Sequence, residues 1–191
     1  MGPSNKCLPA DERSVCPLCD SEEIRFLYSS QRKNLIRDYC CCTNCDLVFV
    51  PSMFHLSFSD QKYRYLEHNN EFDDLGYRKF LSRLKDELIP FLCNGDYGLD
   101  YGAGPGPVLA EMMTRAGYKM DLYDPIFYPD KNVLRNRYDF IVCTETAEHF
   151  VDPNADFDRM FHMLNPGGLL GLMTGILYDE IDFEHWYYRL D

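Results

Sequence analysis

The sequence predicts an α/β protein: a parallel sheet with covering helices, preceded by a small cysteine-rich ribbon and a helical linker. Three observations carry this. From Gly95 onward, short apolar runs alternate with turns and helix-like stretches in the order strand, glycine-rich turn, helix, strand, which is the pattern of a parallel sheet. Two Cys-x-x-Cys pairs, Cys16/Cys19 and Cys42/Cys45, enclose most of the N-terminal region. Between these regions lies one clear amphipathic helix, in which Tyr77, Phe80, Leu81, Leu84 and Leu88 recur at helical spacing until Pro90 ends it.

Composition narrows the function. With 191 residues the chain holds one full domain plus a small satellite, and 46% hydrophobic against 26% charged residues is the balance of a folded protein. No apolar run is long enough to cross a bilayer, and the polar start Met1–Lys6 is not a signal peptide. Lys6 stands where a myristoylation signal requires Ser or Thr. A cytoplasmic location with no membrane partner is therefore expected. The net charge of −12 is uneven: residues 1–50 carry six basic and seven acidic side chains, so net −11 falls on the remainder. With no basic stripe to track phosphates, nucleic acid is not the expected partner of the main domain. A cationic ligand would find this field favourable.

Six of the nine cysteines lie between Cys16 and Cys45. Two knuckles 22 residues apart can place Cys16, Cys19, Cys42 and Cys45 around one tetrahedral zinc ion. Cys40 and Cys41 could compete with Cys42 if the register slipped, and a set of buried or redox-active thiols is the alternative. A ribbon of this size has almost no core, so the metal would supply much of its folding energy. Four thiolates leave no open coordination position, which makes the role structural.

The chain is expected to divide into a ribbon at 1–51, a helical linker or lid at 52–94 and the sheet domain at 95–191. In the third part, Tyr97–Tyr101 reads as a buried strand. The turn Gly102-Ala103-Gly104-Pro105-Gly106 follows, Pro107 starts a helix, and Gly117 stops it. Lys119–Tyr123 and Tyr138–Thr144 are further strands. Asp152-Pro153 opens a helix with Phe157, Met160, Phe161 and Leu164 inward, and Asn165-Pro166-Gly167-Gly168 turns into a strand at Leu169–Thr174.

A glycine turn between strand and helix admits a ligand close to the backbone. A dinucleotide would want a third glycine at position 107, where Pro107 stands, and a basic residue nearby, which is missing. Asp100, two residues before Gly102, would repel an anion. S-adenosylmethionine has no phosphate and carries a sulfonium and an ammonium, which acidic surroundings favour.

The turn, Asp124 at the end of the second strand, the strand and corner Tyr138–Phe150, and Leu164–Gly168 together resemble class I S-adenosylmethionine-dependent methyltransferases, with four landmarks in order from Leu99 to Thr174. The ribbon and the stretch holding Tyr65, His68 and Asn70 resemble a bacterial subgroup with an N-terminal four-cysteine zinc module. The resemblance implies a Rossmann-like methyltransferase sheet. It implies that Asp100, Tyr101 and the backbone of Gly102, Ala103 and Gly104 hold the methionine end of the cofactor. Asp124 would accept from the ribose hydroxyls, Pro125 and Ile126 would border the adenine, and Thr144, Glu145 and Thr146 would lie beside the sulfonium. His149 and His68 are the candidate bases, with Tyr65 and Glu145 shaping the pocket.

Two departures from the family are expected to matter. Only 14 residues separate Asp124 from Asp139, so the third strand is either a stub at Asn132–Leu134 or absent. The chain ends 17 residues after Thr174, so the closing strands are expected to be missing and the aromatics of the tail Phe183–Arg189 to lack part of their packing. The open sheet edge suggests a homo-oligomer. The expected activity is in-line methyl transfer to a small-molecule acceptor. The competing readings are a ribbon that binds RNA or protein and an inactive, cofactor-binding scaffold.

Overall fold

A computed structural model describes residues 15–32, 35–57, 60, 74–178 and 181–190. The ribbon is a three-stranded antiparallel sheet of β1 (Ile24–Arg32), β2 (Leu35–Cys42) and β3 (Val48–Phe49), in that order. Antiparallel pairing sets Ile24 against Cys42. The knuckle that precedes β1 therefore meets the knuckle that follows β2. Cys40 and Cys41 are buried within β2 and paired with Phe49 and Val48, so the strand register holds them away from the knuckles.

The main sheet is wholly parallel: β4 (Tyr97–Tyr101), β5 (Lys119–Tyr123), β6 (Tyr138–Thr144) and β7 (Leu164–Met173), in the order β5-β4-β6-β7. The expected bounds of β4, β5 and β6 agree with the structure. Both faces of such strands are buried, so the sequence shows them as short continuous apolar runs. Because β5 and β6 lie on opposite sides of β4, the strand order reverses there. That reversal opens a crevice beyond the C-terminal ends of β4 and β6, the usual ligand position in open α/β sheets.

Helices α1 (Leu75–Leu88) and α2 (Val108–Arg115) cover one face. Leu81 and Leu88 of α1 join Val108, Leu109 and Met113 of α2 over Phe140 and Val142 of β6. The other face, with Ile141 and Cys143, packs on Met160 and Met163 of α3 (Pro153–Met163). Each fully buried apolar side chain here contributes about 1.5–3 kcal/mol. Helix α1 starts at Asp74, whose carboxylate accepts from the Gly76 and Tyr77 amides at 2.7 and 3.1 Å, and it gives way at Leu88 to a 3₁₀ turn containing Pro90.

One alternative left open by the sequence is decided, and the inward face of α3 is corrected. Between Asp124 and Tyr138 there is no third strand among the described residues, only a 3₁₀ turn at Val133–Arg135. Polar contacts tie β5 to the inner strands and to this turn: Tyr97 and Tyr138 both reach the Asp121 carboxylate, and Tyr138 also reaches the Val133 carbonyl. In α3 Phe157 and Met160 face inward as expected and Met163 joins them, whereas Phe161 faces solvent at 75% exposure. Leu164 is not helical; it opens β7, which runs straight through Asn165-Pro166-Gly167-Gly168. That passage is irregular because Gly167 has φ +82°, and it is anchored where Asn165 donates to Asp139 at 2.8 Å. Finally, the tail aromatics Phe183, Trp186 and Tyr188 find ring partners, whereas Tyr187 stays 62% exposed. Residues 181–190 lie against the ribbon, with the Phe183 ring 5.0 Å from Tyr39 and 5.7 Å from Tyr28. The Tyr39 hydroxyl donates to the Arg189 carbonyl at 2.5 Å. No helix among the described residues is long and apolar enough to cross a membrane.

Candidate active site

The glycine turn after β4 is built around its own hydrogen bonds. The Gly102 and Ala103 amides donate to the Tyr123 carbonyl at 2.8 and 3.1 Å, and the Gly104 amide donates to Asp124 Oδ2 at 3.1 Å. At the start of α2, the Ala110 amide is directed at the Asp100 carboxylate and draws its pKa down. The N–H groups of Gly102, Ala103 and Gly104, which could otherwise face a phosphate, are thus satisfied from within. Beside the turn, the Asp100 and Asp124 carboxylates line the cavity. The two glycines differ in purpose. A Cβ on Gly102 (φ +85°) would stand 2.1 Å from the Thr146 methyl, so this glycine is required by packing. A Cβ on Gly104 (φ +61°) would meet nothing within 4 Å, so Gly104 faces open space.

Asp100 is buried, and burial raises its pKa to about 7, with the neighbouring Asp124 carboxylate adding to the effect. A buried carboxylate held back from ionising, beside a second carboxylate, forms a site for a positive charge. Asp124 Oδ1 also accepts from the Ile126 and Phe127 amides at 2.8 and 2.9 Å, which fixes the carboxylate at the end of β5.

At the end of β6 the chain turns sharply. Glu145 has φ +49°, in the left-handed region that a glutamate rarely occupies, and its amide donates to the Met173 carbonyl at 2.9 Å. This turn presents the Glu145 carboxylate to the Tyr188 hydroxyl, which lies 2.9 and 2.8 Å from its two oxygens. The Thr146 hydroxyl ties the corner to the glycine turn through the Gly102 carbonyl at 3.1 Å and reaches the Thr144 carbonyl at 2.9 Å. His149 ends the 3₁₀ turn Ala147–His149.

These groups share one cavity of about 620 Å³. Asp100, Gly102, Ala103, Gly104, Asp124, Thr144, Glu145, Thr146 and His149, all expected from the sequence, line it together. Tyr101 does not: its ring points to the α3 face, and its hydroxyl donates to Asp156 at 2.5 Å and accepts from Arg159 at 2.7 Å. Pro125 and Ile126 lie on the turn after β5, outside the cavity wall. Tyr65 and His68 lie outside the described residues. The sequence reading missed Tyr77, Tyr188, Trp186 and Arg189 as wall residues, and it missed the ribbon residues Arg37 and Tyr39. Tyr77 was visible only as part of a helix stripe. Its pKa is pushed up to about 12 by burial and by the Asp100 and Glu145 charges, so it is a hydrogen-bond donor and not a base.

A parallel sheet whose crevice ends in a glycine turn, an acidic β5 terminus and a strained β6 corner narrows the family before any comparison. A family model described as a methyltransferase domain matches residues 72–191, well over half of the chain. The chain belongs to the methyltransferase-domain family. Its match includes α1, in keeping with the packing of that helix into the methyltransferase core.

The ribbon attached to this methyltransferase domain carries a candidate metal centre. The sulfurs of Cys16, Cys19, Cys42 and Cys45 all lie within 4.8 Å of one another, with Cys16–Cys45 at 3.6 Å and Cys19–Cys42 at 3.7 Å. Tetrahedral zinc with bonds of about 2.3 Å needs sulfurs about 3.8 Å apart, so the spacing fits. A disulfide would need about 2.05 Å. The two knuckles are built alike. In each, the amide of the residue after the second cysteine donates to the carbonyl of the first (Asp20 to Cys16, Asp46 to Cys42, both 3.0 Å), and that aspartate has φ near +60°. Asn44 donates to Cys19 Sγ and is the main cause of a thiol pKa lowered to about 6, whereas burial holds Cys45 up at about 12. Full ionisation of the set calls for a cation, and thiolates suit zinc. The first knuckle also touches the methyltransferase domain: Asn154, in the first turn of α3, donates from its backbone to the Pro17 carbonyl and from its side chain to the Leu18 carbonyl at 2.8 Å.

Proposed function

We propose that the protein transfers a methyl group from S-adenosylmethionine to a small-molecule acceptor, and that its ribbon holds a structural zinc ion. One observation supports the cofactor assignment: the Gly102, Ala103 and Gly104 amides are spent internally, while the Asp100 and Asp124 carboxylates line the cavity beside them. That chemistry suits a sulfonium and an ammonium and opposes a pyrophosphate. Asp100 and the turn carbonyls would hold the amino-acid end, Asp124 would accept from the ribose hydroxyls, and the open space beside Gly104 leaves room for the nucleoside.

When bound, S-adenosylmethionine supplies a methyl carbon activated by adjacent positive sulfur. The protein's own part is then to position the acceptor, exclude water and take up any proton the acceptor loses. Thr144 at the end of β6, with Glu145 and Thr146 just after it, would lie where an acceptor meets that carbon. Glu145, held by Tyr188, and His149 are the groups placed to receive a proton.

Calorimetric titration tests the assignment. S-adenosylmethionine is expected to bind the wild-type protein while NAD does not, and Asp124→Ala is expected to weaken the binding at least about tenfold, the loss of one charge-assisted hydrogen-bond pair. Uptake of NAD with no uptake of S-adenosylmethionine would refute it.

A further inference from the structure

The cavity wall carries charges of both signs. Asp100, Asp124 and Glu145 surround the glycine turn, while the wall formed by the ribbon and the tail contributes Arg37 and Arg189. Arg189 is the unusual member. It is only 3% exposed, and its Nε is satisfied by the Glu184 carbonyl at 2.6 Å. Its guanidinium carbon lies 5.8 Å from the centre of the Tyr28 ring, yet Nη1 is buried with no hydrogen-bond partner. Among the described residues no carboxylate stands within ion-pair distance of it. A buried guanidinium without a counter-charge is costly, and its backbone is pinned: Arg37 and Tyr39 both donate to the Arg189 carbonyl. A charge held in that way in a cavity wall is a binding group awaiting an anion.

We infer that Arg189 forms an anion subsite in the ribbon-and-tail wall, and that the methyl acceptor carries a carboxylate or phosphate seated there. This rests on the methyl-transfer reading only for the word acceptor; the anion subsite stands on the geometry alone. The arrangement separates the two ligands by charge, cation at the glycine turn and anion at the ribbon. It also gives the ribbon a share in choosing the substrate. Trp186 and Tyr188, whose rings lie 5.6 Å apart, line the cavity beside Arg189 and offer an apolar surface to the rest of the molecule.

Trp186 is the single tryptophan of the chain and reports on this wall directly. Its emission is followed as inorganic phosphate or acetate replaces chloride at constant ionic strength. A saturable change with half-saturation at about 1–10 mM is expected for wild type. Arg189→Gln is expected to weaken it about tenfold, Arg189→Lys to retain it in part, and the exposed-site control Arg115→Gln to leave it unchanged. A stronger response to phosphate points to a phosphorylated acceptor, and a stronger response to acetate to a carboxylated one. If neither anion changes the emission of the wild-type protein, or if Arg189→Gln responds as wild type does, the subsite is refuted. Should Arg189→Gln fail to fold, the wild-type titration and Arg189→Lys still decide. S-adenosylmethionine binding, measured separately by calorimetry, reports on the other end of the cavity, so failure of either reading leaves the other intact.

Discussion

Gly102 and Gly104 are two residues apart and have the same left-handed backbone, yet they answer to different demands. Gly102 is hemmed in by Thr146, and Gly104 borders empty space. Alanine at 102 must overcome both strain and a collision, so a loss of about 2–3 kcal/mol in urea unfolding is expected. Alanine at 104 meets only the left-handed strain, about 1 kcal/mol, and should leave the fold standing while obstructing the nucleoside. Chemical denaturation and cofactor titration of the two variants separate these effects. Equal cofactor affinity in Gly104→Ala and wild type would show that the nucleoside lies elsewhere. The sequence announced both glycines but not the distinction, because what Gly102 meets lies 44 residues further along the chain.

At the scale of elements, legibility followed the range of the forces involved. Strands β4, β5 and β6 were readable as compact apolar runs, α1 as a stripe ended by Pro90, and the knuckles as Cys-x-x-Cys. Each is a local pattern. The 3₁₀ turn in place of a third strand was half readable, since 14 residues left little room. The inward face of α3 was misread at Phe161 because one helical residue more or less rotates the stripe, and here β7 begins at Leu164 rather than after the glycines. The knuckles also reach beyond the ribbon, since Asn154 bonds the carbonyls of Pro17 and Leu18 at the head of α3. One zinc per chain is therefore expected by atomic emission. Its removal by a chelator should lower the melting temperature of the ribbon and speed hydrogen exchange in the segment from Glu145 to Asn154. Asn154→Ala should keep the zinc but reproduce the faster exchange. Zinc-free protein with unchanged exchange in that segment would disprove the coupling.

Over the whole molecule, the cavity is a product of three distant parts of the chain. The glycine turn, the β6 corner and the ribbon-with-tail wall meet only after folding, through contacts such as Tyr188 to Glu145 and Tyr39 to Arg189. No pattern in the sequence encodes those contacts, which is why Tyr188 and Arg189 went unseen while Asp100 and Asp124 did not. Asp100 gives this cavity a response to pH. Burial and Asp124 raise the Asp100 pKa from 3.8 to about 7. The folded protein therefore prefers the neutral acid: its contribution to stability is fully present below about pH 4 and is lost as pH rises through about 7. A bound cation reverses that preference, because it stabilises the carboxylate. The affinity for S-adenosylmethionine, measured by calorimetry from pH 6 to pH 8 in wild type and Asp100→Asn, tests this most directly. The account predicts that wild-type affinity rises about tenfold across that interval, with proton release near pH 7, and that Asp100→Asn binds more weakly with no such slope. A flat wild-type profile, or an undiminished slope in Asp100→Asn, would contradict recognition of a cationic cofactor by this carboxylate.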